Sequence, residues 1–368
     1  MCRITIDGLE IMVSDEKTVL EAALEAGFYI PHLCYHPSTG TADGIEPVTH
    51  VYRGDIRIDH DSSKGNTCCN LCLVEIAGKE GLSRACGVSV ENNMVIRSDT
   101  DAVKKQRRQN LAELMEKSRH PVTCITCNLS DGCDRKICSM NTPEPNRCCW
   151  KFHNCEFKEV ASFIGVPEGM NYAAASAAVV DDNPVFSINY ALCINCMRCV
   201  AACREISKRE ALGFVFNHGS PIVGMVESSL KKSGCKFCLV CADVCPTGAI
   251  REKQPTKKKS KERLGLTPSI LPPSKDAWTV LSGDNLDSVP EVEGVFKLCN
   301  ENKVVIQISG SQDLRKDLGK ELKNADETLY FNYEVDPMFM MRERQLIQQH
   351  MEKHGDLPEK NKELDDLF

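Results

Sequence analysis

The chain has 368 residues, enough for two or three domains with cores of their own, and its 42% hydrophobic and 26% charged residues are an ordinary globular balance. A formal net charge of −7 argues against a general polyanion binder, which would show a basic face, and no apolar run approaches the ~18 residues needed to cross a bilayer. Its 22 cysteines exceed what packing asks for, so they are disulfides or metal ligands. The start, MCRITIDGLEIMVSDEK, lacks a basic stretch followed by an apolar one; metal ligands in a cytoplasmic protein are the expectation.

CRITIDGLEIMV reads as two short strands about the turn Asp7-Gly8, and SDEKTVLEAALEAGF as a helix capped by Ser14 or Asp15 and stopped by Gly27. Strand, strand, helix, then Cys34 is a β-grasp order. CCNLCLVEIAGKEGLSRAC then places Cys69, Cys72 and Cys86 at C-x2-C-x13-C, the last after a hairpin. A 2Fe-2S cluster takes two thiolates per iron, and Cys34, Cys69, Cys72 and Cys86 supply them. C-x2-C is also half a zinc site, but the β-grasp lead-in favours iron. Cys68 is expected to point elsewhere.

TDAVKKQRRQNLAELMEKSRHP reads as a helix with an apolar stripe of Val103, Leu111, Leu114 and Met115, ended by His120-Pro121. HPVTCITCNLSDGC follows at 120–133, with His120, Cys124, Cys127 and Cys133 at H-x3-C-x2-C-x5-C. A histidine beside a helix end is ordinarily packed or capping. Three residues before C-x2-C, the local chain can close it onto the same irons. Cys138, Cys148, Cys149 and Cys155 follow, so the segment holds twice the donors that one site needs.

CINCMRCVAAC at 193–203 is C-x2-C-x2-C-x3-C, and CKFCLVCADVCP at 235–246 repeats it with a terminal proline. Such close cysteines crowd a tetrahedral zinc but match three corners of a 4Fe-4S cube. In two-cluster ferredoxins the fourth cysteine of each run crosses over. Cys193, Cys196 and Cys199 would share a cluster with Cys245, and Cys235, Cys238 and Cys241 would share theirs with Cys203. Arg204 stands where a proline would follow Cys203. Cys2, Cys68 and Cys299 remain as structural or surface thiols.

This order of motifs, over about residues 1–252, resembles the N-terminal half of the large iron-sulfur subunit of bacterial respiratory complex I. It is similar also to the small diaphorase subunit of NAD-reducing hydrogenases, to iron-only hydrogenases and to NAD-linked formate dehydrogenases. The resemblance implies that His120 ligates a 4Fe-4S cluster. Two features depart from the family. YHPSTGTADGIEPVTHVYRGDIRIDHDSSKGNTC intervenes between Cys34 and Cys69, a hairpin-like loop able to cover the cluster or meet a partner. The text that normally follows the third cysteine of the histidine motif stands after Cys155, as CEFKEVASFIGV. Either Cys133 or Cys155 therefore closes the His120 cluster. With Cys133 in that role, Cys138, Cys148, Cys149 and Cys155 form an additional all-cysteine set.

TKKKSKER, beside LTPSILPPSK, reads as a solvated flexible linker. EGVFKLCNENKVVIQISGSQDLRKDLGKEL at 293–322 is similar to the start of a GIY-YIG nuclease domain, implying two strands and a helix. Gln307 and Ser309 replace motif residues, and Asp317 replaces the arginine that would stabilise a phosphoryl-transfer transition state, so a fold without nuclease activity is expected. A last helix is framed by Asp336, Pro337 and Gly355, its stripe of Phe339, Leu346, Ile347, His350 and Met351 packing on its own module.

The expected fold class is α+β. A β-grasp 2Fe-2S domain covers 1–97, a His/Cys 4Fe-4S domain with a cysteine-rich insertion 98–182, and a two-cluster 4Fe-4S ferredoxin domain 183–252. A linker at 253–275 leads to a small α/β module at 276–368. The sequence has no dinucleotide fingerprint and no substrate-site constellation. The chain reads as an electron-transfer subunit with one 2Fe-2S and three 4Fe-4S clusters, and a fourth if the surplus cysteines form a set. The resemblance implies a flavin subunit handling NADH, a small 2Fe-2S subunit and a further catalytic redox subunit as partners, with neither nucleic acid nor direct membrane insertion; any membrane association runs through partner subunits. The competing classes are a nucleic-acid repair or sensing protein with structural clusters, which the acidic charge and Asp317 oppose, and a self-contained ferredoxin-like carrier.

Overall fold

The computed structural model describes the chain except residues 66, 126, 128–132, 134–137, 139, 152–153, 167–169, 171–176, 254–265, 273–277, 288, 303, 326, 337 and 363–368. The basic run of the linker lies outside the described residues. The chain divides into two units, Met1–Pro272 and Pro273–Phe368. The first begins β1 (Cys2–Ile6), β2 (Leu9–Val13), α1 (Val19–Glu25), β3 (His50–Arg53), β4 (Ile56–Asp59), β5 (Leu73–Ile76), β6 (Leu82–Arg84), β7 (Met94–Arg97) and α2 (Asp101–Ser118). It continues with α3 (Glu156–Ile164), β8 (Val179–Val180), β9 (Phe186–Asn189), α4 (Arg198–Glu205), β10 (Leu212–Asn217), β11 (Ser220–Met225), α5 (Val240–Asp243) and β12 (Ile250–Glu252). The second contains β13 (Thr279–Val280), α6 (Gly283–Leu286), β14 (Gly294–Cys299), β15 (Val305–Ser311), α7 (Leu314–Lys323), β16 (Tyr330–Val335) and α8 (Phe339–His354).

Asp7 and Gly8 take positive φ, as the tight β1–β2 reversal demands. The sheet order is β2-β1-β7-β5-β6, with β1 and β7 parallel and the other pairs antiparallel. Alternate residues Ile4, Ile6, Val74, Ile76, Met94 and Ile96 face Val19, Leu20 and Ala23 of α1 in one core. The cap of α1 is neither Ser14 nor Asp15 but Thr18. Its hydroxyl accepts from the Glu21 amide, and the Glu21 carboxylate accepts from the Thr18 amide, so two orphan donors are satisfied at once. Gly27, at φ 85°, ends the turn as expected.

The insertion before Cys69 is a hairpin, β3–β4, that pairs outside the first sheet. It extends the β10–β11 hairpin into the order β10-β11-β3-β4. A Cβ at Gly224 would stand 2.7 Å from the Tyr52 carbonyl and 2.8 Å from Val51 Cβ, so only glycine allows β3 this close. The Val48 amide donates to the Phe214 carbonyl at 2.9 Å and the Asp61 amide to Phe216 at 3.2 Å.

Thr100 caps α2, and Arg119, left-handed at φ 50°, closes it before His120-Pro121. Its buried side chains Val103, Leu111 and Met115 are joined by Arg107, whose Nη2 donates to the Leu73 carbonyl at 2.6 Å. Asn110 Nδ2 donates to the Asn70 carbonyl at 2.7 Å and ties α2 to the cysteine loop. Phe157, Val160, Ala161 and Ile164 of α3 pack with Leu111 and Met115 in a core that also touches Cys69, Cys155 and Cys196.

The two ferredoxin runs adopt one backbone. Asn195 and Phe237 share φ 53°, and Met197 and Leu239 have φ 69° and 68°, each pair at the same motif position ahead of α4 and α5. β9 pairs with β12 and β8 beneath them. Residues 266–270, expected as linker, pack on this unit: the Thr267 amide donates to Ser38 Oγ at 2.8 Å, and Ile270 joins the first core.

In the second unit the sheet order is β13-β16-β14-β15, all antiparallel. Leu314 and Leu318 of α7 pack in one core with Phe296 and Leu298; Leu346 of α8, flanked by Phe339 and Ile347, packs with Val295 and Ile308. β strands flipping alternate residues to opposite faces explain both layers. α8 begins at Phe339, later than expected, with Asp336 Oδ1 accepting the Met338 amide at 2.8 Å; Pro337 lies outside the described residues.

Candidate iron-sulfur centres

Cys34, Cys69, Cys72 and Cys86 converge from three segments: the loop after α1, the loop before β5 and the short 3-10 turn after β6. Cys34 and Cys69 Sγ lie 3.5 Å apart, and Cys86 meets both Cys72 and Cys34, so the four thiols form one connected cluster. Contact with Cys34, together with the amides of Leu71 and Leu33, pulls the Cys69 thiol down to about 7 against its burial. The expectation that Cys68 points elsewhere does not hold. Its thiol meets Cys34 and Cys86, and its Sγ is 3.2 Å from Asp43 Oδ1. The left-handed turn at Asn70, φ 54°, reverses the loop just beyond both neighbours, and both stay within reach of Cys34.

His120 is 2% exposed, and its ring meets Phe157 edge-on at 4.9 Å. Nδ1 is 2.9 Å from the Pro121 carbonyl, which fixes it as the protonated nitrogen; Nε2 is buried without a hydrogen-bond partner. Burial pushes the imidazole down to about 4, so it is neutral and its Nε2 lone pair is available. A buried imidazole nitrogen with no hydrogen-bond partner is what a metal ligand looks like before its metal. Cys124 Sγ accepts the Cys148 amide at 3.2 Å, and the two thiols touch.

Of the surplus cysteines, Cys155 interacts electrostatically with both Cys148 and Cys149, while Cys138 stands in a turn of its own. Cys138 Sγ accepts the Thr142 amide at 3.3 Å within a local turn. Cys148 lies against Cys124. Cys155 Sγ is 3.7 Å from the Pro246 carbonyl and interacts electrostatically with Cys149 and Cys245. Cys127 and Cys133 are half-buried. Among the described residues, no three His, Cys, Asp or Glu close around a single-ion site.

The ferredoxin cysteines line two recesses. Cys193, Cys196, Cys199 and Cys245 surround one with about 470 Å³ of empty space, partly open to solvent. Cys203, Cys235, Cys238 and Cys241 surround the other, with about 360 Å³. Each holds three cysteines of one run and the fourth of the other. The amides aim alike in both: Asn195 donates to Cys193 Sγ at 3.4 Å and Phe237 to Cys235 Sγ at 3.3 Å. Burial pushes the Cys196 and Cys199 thiols up, so they become thiolates only when a cation stands between them. Largely apolar recesses with four thiols each and amides donating to the sulfurs fit iron-sulfur cubes.

Two arginines stand beside the first recess. Arg53 of the inserted hairpin donates Nε to the Val223 carbonyl at 2.8 Å and Nη2 to Asn195 Oδ1 at 2.7 Å, over the Tyr190 ring. Arg198, between Cys196 and Cys199 in sequence, is buried and paired with Glu156, next to Cys155. Sequence reasoning passed over both, because their partners are distant in the chain.

Residues 1–101 match the 2Fe-2S iron-sulfur cluster binding domain, and residues 183–251 match the ferredoxin-like domain of NADH-quinone oxidoreductase subunit 3. The iron-sulfur portion of this chain is similar to that of the complex I large iron-sulfur subunit. An NADH-quinone oxidoreductase subunit of Rickettsia typhi is 27% identical over 272 residues, 73% of this chain and 33% of that protein. A Staphylococcus haemolyticus protein named as a formate dehydrogenase is 24% identical over 250 residues, 68% of this chain and 20% of its own length. The chain thus spans a third or less of these curated relatives. An NAD+-reducing [NiFe]-hydrogenase crystal structure shares the fold at TM-score 0.50 and 21% identity, covering 70% of this chain and 90% of its own. The C-terminal unit lies outside both matched domains, and its resemblance to a GIY-YIG domain gains no support from them. Among the described residues no helix is long and apolar enough to cross a membrane.

Proposed function

We propose that this chain is an electron-transfer subunit of an NAD(H)-linked oxidoreductase, carrying one 2Fe-2S cluster on Cys34, Cys69, Cys72 and Cys86 and three 4Fe-4S clusters. Two of the cubes take Cys193, Cys196, Cys199, Cys245 and Cys235, Cys238, Cys241, Cys203. The third takes His120. The observation that carries the reading is the crossed partition of eight cysteines into two recesses, each with three donors from one run and one from the other. The mixed sheet with one covering helix supports a β-grasp fold around the first set.

When bound, such clusters supply one-electron carriers whose potentials follow ligand type, hydrogen bonds and burial. The chain's own residues do the rest. Cys72 and Cys86 anchor the 2Fe-2S site in the first core, and the amides of Leu33, Asn195 and Phe237 donate to ligand sulfurs, favouring their anionic state. Arg53 and Arg198 put positive charge beside Cys193 and Cys196. Leu33, Leu71, Val122, Phe157 and Ile194 keep water from the space among Cys69, Cys155 and Cys196, so donors of the 2Fe-2S set and of one ferredoxin set share one apolar core. Entry and exit of electrons are then the business of partners: a flavin subunit handling NADH, a small 2Fe-2S subunit and a further catalytic redox subunit.

Co-purification from the native host tests this. A bound flavoprotein subunit is expected; repeated isolation of the chain as a lone monomer would contradict it.

A further inference from the structure

We propose that Cys148 closes the histidine site: its ligands are His120, Cys124, Cys127 and Cys148, with neither Cys133 nor Cys155 among them. This deepens the cluster reading above and rests on it. Motif spacing points to Cys133, and the displaced family text to Cys155, but the fold brings a different thiol in. The Cys148 amide donates to Cys124 Sγ at 3.2 Å and the two side chains touch. Cys148 Sγ is 3.6 Å from the Pro121 carbonyl, the same oxygen that holds His120 Nδ1 at 2.9 Å. One carbonyl oxygen is therefore shared by the imidazole and the thiol, while Nε2 of His120 stays buried and unpartnered. Cys148 is 5% exposed, as a ligand in a water-excluded site must be.

Three other cysteines have contacts of their own. Cys155 interacts electrostatically with Cys148, but its Sγ takes the Pro246 carbonyl at 3.7 Å and it also interacts with Cys149 and with Cys245 of a ferredoxin set. Cys149 does not compete with its neighbour, because its Sγ lies against Gly248, 2.4 Å from where a Cβ there would sit. Cys138 belongs to a turn closed by Thr142, whose carbonyl also accepts Arg147 Nε at 2.6 Å. That arginine immediately precedes Cys148, so the turn of the inserted segment fixes where the chain delivers the thiol. The inserted segment completes the first histidine cube rather than building a cube of its own.

The test is iron content and the electron paramagnetic resonance spectrum of dithionite-reduced, anaerobically purified full-length protein. Cys148→Ser should lose about four irons per chain and the same signal that His120→Ala loses, while Cys133→Ser and Cys155→Ser keep both. Loss of that signal in Cys133→Ser or Cys155→Ser, with retention in Cys148→Ser, overturns the assignment. If Cys148→Ser also loses the 2Fe-2S signal through misfolding, Cys148→Asp decides, since it retains a donor. A shifted signal from the histidine site supports ligation, and an unchanged one refutes it. Dithionite needs no partner, so failure of the electron-relay reading would show separately, as clusters that form but are not reduced by NADH in the native complex.

Discussion

Arg198 and Glu156 form a bidentate ion pair out of contact with water, Nη1 at 2.8 Å and Nη2 at 2.6 Å from the two carboxylate oxygens. It clamps α4, between the ligand cysteines Cys196 and Cys199, to the first residue of α3. Burial would raise the Glu156 carboxyl, but the guanidinium outweighs it and holds the group below its ordinary value. Arg198→Leu strands a carboxylate in the interior, and the full chain should lose about 3–5 kcal/mol in denaturant unfolding. The double variant Arg198→Leu/Glu156→Leu should recover much of that loss.

His120→Cys exchanges a neutral donor for an anionic one. The histidine cluster should survive with a lower midpoint potential and an altered spectrum, seen by redox titration, while the other signals stay in place. An unchanged spectrum would make His120 a packed side chain.

The fifth thiol beside the 2Fe-2S site makes a graded prediction. Cys68→Ser should leave the 2Fe-2S signal intact. Cys69→Ser should retain a cluster with shifted resonance positions, because Cys68 already touches Cys34. The double variant should lose about two irons per chain.

Arg53 anchors the inserted hairpin and faces Cys193. Arg53→Ala should expose residues 45–65 to limited proteolysis. It should also lower the potential of the cluster at Cys193, since removing a positive charge penalises the more reduced state. A hairpin as protected as before would show that the β3–β11 pairing suffices alone.

Asp317 accepts the Ser311 hydroxyl and the Lys320 ammonium, each at 2.6 Å. Burial pushes its carboxyl up, but the lysine and the hydroxyl win and the folded value lies below 3.8. A depressed folded value means stability that is present above about pH 4 and lost as pH falls through the folded value. Because both groups are partly in water, the amplitude is a few tenths of a kcal/mol, roughly. Asp317→Asn should flatten that acid limb in thermal melts of the full chain. Asp317 thus has a structural task in its own helix.

The ferredoxin runs were readable because their donors lie within one turn of chain, where spacing dictates geometry. So were β1, β2 and the stripe of α2, which follow local periodicity. What stayed hidden was set by distant contacts. Tyr52 pairs with Met225, and nothing near the hairpin announces it. Arg198 looks like a surface arginine until Glu156 arrives. Cys68 and Cys148 have no ligand spacing at all; a left-handed Asn70 and a turn at Thr142 bring them to their sites. Thr18 displaced Ser14 and Asp15 as cap because a reciprocal box with Glu21 satisfies two donors.

Electron relay through this chain is open to one decisive measurement: NADH titration of the native complex, followed by electron paramagnetic resonance with iron counted per copy of the chain. About fourteen irons are expected, with one 2Fe-2S and three 4Fe-4S signals appearing as NADH is added, and one of the latter carrying histidine nitrogen coupling. Zinc in place of iron, or clusters that dithionite reduces and NADH in the intact complex does not, would refute the relay.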